Sequence, residues 1–151
     1  LSVNTAIMDI REKANIFIYR IAEKGLEIFL INSEAEKKYH LPSSELEQSD
    51  RLQKFVNQAN GIELDQTTDS EGLTSSNVAM EADYHEIPSL KALLKNDLKL
   101  VKDKIYDAIP DAGKGKFVQF KEAFKSLLPH QYQALKELKE VVSEKNTTKF
   151  I

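Results

Sequence analysis

The sequence predicts an α/β sandwich, a mixed sheet held between helical layers. Two observations carry that prediction. The runs 14–21 and 26–31 are rich in β-branched and aromatic residues and are apolar on both faces. A strand buried on both faces needs a covering layer on each side. From Ser89 onward, apolar residues recur three and four apart, the spacing of amphipathic helices. A chain of 151 residues fits one domain. It is read here as a single domain, 1–151, with a poorly defined leading segment, 1–13.

The elements follow in order. Ala22 to Gly25 joins the first two runs into an antiparallel hairpin, with glycine where positive φ is useful. This hairpin should be central in the sheet. Residues 32–44 read as loop, with a short extended piece at 37–41. Residues 45–58 read as a helix, its apolar positions Leu46, Leu52, Phe55 and Val56. Ser43 or Ser44 would cap it, and Asn60-Gly61 would stop it. Residues 62–64 are strand, 66–76 a polar loop around Gly72, and 77–84 a further strand. Ser89 would cap a helix reaching Ile109, ended by Pro110. Residues 111–115 are loop and 117–120 strand or helix lead-in. Residues 121–128 are helical, and Pro129 opens the last helix, where its missing N–H costs little.

Composition excludes several classes. A net charge of −3 gives no general attraction to nucleic acid. Arg11, Arg20 and Arg51 are the only arginines, so bidentate phosphate clamps are scarce. With no cysteine, there is no disulfide, thiolate nucleophile or cysteine-based zinc site. No apolar run approaches the ~20 residues of a membrane span, and residues 1–13 lack the pattern of a signal peptide. A cytoplasmic protein without nucleic-acid or membrane partners is expected.

The most informative stretch is 39–62. It runs Tyr39-His40-Leu41-Pro42-Ser43-Ser44, then Glu47 and Asp50, then a helix-like segment closed by Gly61-Ile62. In that order, after a hairpin, it resembles the Nudix family. The resemblance spans residues 14–142 and implies an α/β/α sandwich of the Nudix type, with a mixed sheet and C-terminal helices. It further implies hydrolysis of a diphosphate linked to another moiety, with magnesium. Tyr39 stands at the aromatic position, Leu41 and Pro42 match, and Ser43 and Ser44 replace two glycines. Glu47 matches the first acid, and Asp50 stands where a glutamate is usual. Toward Gly61 the pattern fades. Lys54 replaces an arginine, and Phe55, Gln58 and Ala59 replace three glutamates. The segment from Ser44 to Gly61 is also four residues short, about one helical turn.

The substitutions matter because Mg²⁺ takes hard oxygen ligands, usually carboxylates. Gln58 offers a neutral carbonyl oxygen, and Phe55 and Ala59 offer no ligand atom. The expectation is a Nudix-like protein that is not a conventional hydrolase, holds no metal cofactor, and serves as a nucleotide-binding or protein-interaction module. The alternative is a divergent pyrophosphohydrolase using Mg²⁺ or Mn²⁺ on a site rebuilt from Glu47, Asp50 and Glu63. Glu45, Glu47 and Asp50 read more simply as acids in a helix first turn. His40 is a candidate base beside the loop, or a surface histidine. Tyr39, Ser43, Ser44 and Tyr84 are the candidate ligand contacts, the two tyrosines by stacking a base or by closing the core margin. Glu81, Asp83 and His85 alternate on one strand face as an acid/base trio or as the solvated face of an edge strand. Asp111 to Gly115 lacks the ending of a phosphate loop. Lys121 to Lys139 reads as a solvated amphipathic helix or a homodimer face.

Overall fold

A computed structural model of the chain describes residues 12–33, 38–46, 56–97 and 112–149. Strands β1 (Glu12–Ala22) and β2 (Gly25–Ser33) form the expected antiparallel hairpin, with Tyr19 opposite Ile28 and Ala22 opposite Gly25. Glu23 and Lys24 make the turn, and Gly25 closes it at φ 109°, a backbone angle that disfavours a Cβ. Two short strands follow, β3 (Lys38–His40) and β4 (Ser43–Leu46). Then come β5 (Ile62–Thr68), β6 (Thr74–Glu81) and β7 (Gly115–Gln119). The sheet is mixed. β6 runs parallel to β1, and every other pairing is antiparallel. β1 lies between β2 and β6, and β2 carries β7 on its far side, so the hairpin is central.

Alternation along the strands divides the core into two layers. Ile16, Ile18, Phe29, Val78 and Met80 face one side, where Val56, Ile87 and Leu90 cover them. Phe17, Tyr19, Ile28, Leu30 and Ala79 face the other, under Ala123, Leu127, Leu135, Leu138 and Val142. Phe17 and Phe29 are fully buried, one in each layer. Burying a side chain of that size contributes about 1.5–3 kcal/mol.

Besides the helical residues 56–58, the helices among the described residues are α1 (Ile87–Asp97), α2 (Phe120–Ala123) and α3 (Pro129–Lys149). Pro129 opens α3 as expected. Several boundaries differ from the sequence reading. Ser43 and Ser44 do not cap a helix. They lie in β4, opposite Asn15 and Ala14, because the free side of β1 offers main-chain partners there. Of the expected helix 45–58, residues 56–58 are helical and 47–55 lie outside the described residues. Its C-terminal stop is seen: Asn60 takes a left-handed φ of 53°, and the Gly61 N–H donates to the Val56 carbonyl at 2.7 Å.

Ser89 is not the cap of α1. Asp83 caps a 3₁₀ turn, Tyr84–Glu86, that leads directly into the helix, and Glu86 returns a bond to the Asp83 N–H at 3.0 Å. The remainder of the expected helix, residues 98–109, lies outside the described residues. The polar stretch 66–76 is mostly strand, because β5 and β6 pair up to Thr68 and Thr74. The connecting turn is built on Asp69, whose carboxylate accepts from the Glu71 and Leu73 N–H groups. β7 makes 117–119 strand, Phe120 opens α2, and α2 runs on into a 3₁₀ turn, Phe124–Ser126.

Side chains take a main-chain donor on each outer strand. The Asp65 N–H of β5 donates to Glu137 Oε1 at 2.8 Å, and the Phe117 N–H of β7 donates to the Tyr84 hydroxyl at 3.0 Å. Occupied donors blunt a sheet edge against pairing with another chain.

Candidate functional site

The loop singled out by the sequence sits in a split of the sheet. β1 and β2 pair only near their turn, from Tyr19 opposite Ile28 to Ala22 opposite Gly25. Beyond that they diverge. Ile31 of β2 is flanked by Gly115 of β7 on one side and His40 of β3 on the other. Ala14 of β1 is flanked by Ser76 of β6 and Ser44 of β4. Segment 38–46 is therefore a wedge, with β3 on one wall and β4 on the other. Leu41 and Pro42 are buried at its bend, and the Ile16 N–H donates to the Pro42 carbonyl at 2.8 Å. The Leu-Pro pair is thus explained by packing: an apolar corner that needs no donor at Pro42.

The candidate residues do not form one cluster. Tyr39 packs on the α3 side of the sheet, with the Lys116 ammonium 4.5 Å from its ring centre. Its neighbour His40 alternates to the opposite face, and its Nδ1 is buried without a hydrogen-bond partner among the described residues. Tyr84 also lies on that opposite face, edge-on to Phe29 and Phe117 at 6.0 and 4.9 Å. The two tyrosines are therefore on opposite sides of the sheet and cannot sandwich one base. Ser43 is exposed. The side chain of Ser44, and Glu47 and Asp50 entirely, lie outside the described residues. Glu63 is exposed on β5, three strand spacings from β4, about 14 Å at ~4.8 Å each.

The trio Glu81, Asp83 and His85 does not share a strand face. β6 ends at Glu81 and is an internal strand, between β1 and β5. Asp83 is instead held by Arg20, whose Nη1 donates to it at 2.6 Å while Nε donates to Glu27 at 2.7 Å. The hydrogen bond from Arg20, with a second from the Tyr84 N–H, holds the Asp83 carboxyl below the usual range. The Arg20 guanidinium also lies 4.3 Å from the Phe117 ring centre. This arginine ties the hairpin, β7 and the 83–86 turn together. Sequence reading missed it, although an arginine among apolar strand residues was the available signal.

A second unforeseen feature is a chain of buried amides. Gln131 Nε2 donates to Asn15 Oδ1 at 3.0 Å, and Asn15 Nδ2 donates to Asn77 Oδ1 at 2.8 Å. Asn77 Nδ2 then donates to the Asp65 carbonyl and to Thr67 Oγ1. Gln131 Oε1 accepts from the Leu128 N–H at 2.9 Å. The chain joins the start of α3 to β1, β6 and β5. It also spans the irregularity in β5 between Leu64 and Thr67.

Magnesium takes hard oxygen ligands, usually carboxylates. At the helix end beside Gly61, Gln58 is exposed and Ala59 packs against the core. No group of three His, Asp or Glu side chains converges among the described residues.

No family model and no curated protein matches the chain. Solved structures do. NrtR of Shewanella oneidensis is 12% identical with a TM-score of 0.51, over 89% of this chain and 64% of that one. The NUDIX domain of the same protein, in complex with ADP ribose, is 10% identical with a TM-score of 0.50, over 91% and 92%. An Ap4A hydrolase of C. elegans is 10% identical with a TM-score of 0.48, over 88% and 98%. The fold is Nudix-like: a mixed sheet between helices, closed by a C-terminal helix. No helix among the described residues is long and apolar enough to cross a membrane.

Proposed function

We propose that the chain is a Nudix-like binding module for a nucleotide-like ligand and does not hydrolyse through the family's metal site. One observation carries this reading. Gly61 anchors the register of the helix end, because a Cβ there would meet the Ala79 carbonyl at 2.9 Å. Counting back from Gly61, the proposed reading sets Gln58 and Ala59 against glutamates of the family pattern. A neutral amide oxygen and a methyl group supply neither of the negative charges that two carboxylates would bring to Mg²⁺. The complex of the NrtR domain with ADP ribose supports the choice of ligand class.

The test uses ADP-ribose as the probe, with and without Mg²⁺ or Mn²⁺. Thermal stability should rise with ligand concentration, by about 2.7 kcal/mol at a hundredfold excess over Kd, while no phosphate ester product appears. Metal-dependent turnover abolished by Glu47→Gln would establish the divergent hydrolase built on Glu47, Asp50 and Glu63. Absence of any shift across a nucleotide panel would leave a protein partner as the ligand.

A further inference from the structure

We draw no further inference here: the strongest candidate, the groove between the β5–β6 turn and the start of α3, lined by Asp69, Glu71, Leu128 and His130, sets carboxylates against a helix N-terminus, and nothing in the structure shows what occupies it.

Discussion

Asn15 is the middle link of the buried amide chain, and its replacement by leucine tests whether that chain acts as a unit. Asn15, Asn77 and Gln131 are 2%, 1% and 6% exposed, so water cannot replace a lost partner. Asn15→Leu strands Asn77 Oδ1 and Gln131 Nε2. At about 1–3 kcal/mol for each buried group left unpaired, the gross cost is about 2–6 kcal/mol. Asn77→Leu strands Asn15 Nδ2, while the Asp65 carbonyl and Thr67 hydroxyl lie closer to water, so about 1–3 kcal/mol is expected. In the double variant Gln131 Nε2 is left without its partner, beside the Asp65 carbonyl and Thr67 hydroxyl that lie closer to water. The double variant should therefore cost less than the sum of the singles, with a gross coupling of about 2–6 kcal/mol on the same count. Urea unfolding followed by circular dichroism measures all four corners of the cycle. Additive effects, with coupling below about 0.5 kcal/mol, would refute the claim that these amides form one network.

Three further outcomes follow from particular contacts. Burial, with the Glu81 carboxylate nearby, pushes the Tyr19 phenol from 10.0 to about 12. A raised pKa means full stabilisation below pH 10 and progressive loss between pH 10 and 12, at about 1.4 kcal/mol per unit. Unfolding free energies across that window should show the decline in the native chain and a shallower one in Tyr19→Phe. Gly61→Ala should destabilise by about 1–3 kcal/mol through overpacking, read as a lower urea midpoint; an unchanged midpoint would contradict the close approach to Ala79. Tyr84→Phe removes the acceptor for the Phe117 N–H, so hydrogen exchange at that amide should accelerate while amides in β1 keep their protection.

The parts of the fold legible in the sequence were those set by local pattern. The hairpin was readable because Ile16, Phe17, Ile18, Ile28, Phe29 and Leu30 leave no solvated face. The last helix was readable because Leu135, Leu138 and Val142 recur on one face behind Pro129. The stop at Asn60-Gly61 was readable because a left-handed residue ends a helix. Where the reading failed, a distant strand had intervened. Ser43 and Ser44 look like helix caps by residue type, yet β1 supplied main-chain partners and made them strand. Asp83 outcompeted Ser89 as the cap because the chain turns at Asp83 on leaving β6.

The candidate site divides in the same way. The sequence by itself determined the resemblance of 39–62 to a Nudix box and the identities of Gln58 and Ala59, because ligand chemistry is a property of residue type. Only the tertiary structure decided which residues share a surface. It set Tyr39 and Tyr84 on opposite faces, gave Arg20 to Glu27 and Asp83, and joined Asn15, Asn77 and Gln131. Each of these depends on strand register and on pairing between segments far apart in the chain. Local composition specifies an element, whereas register between distant elements is settled only when the whole core packs at once.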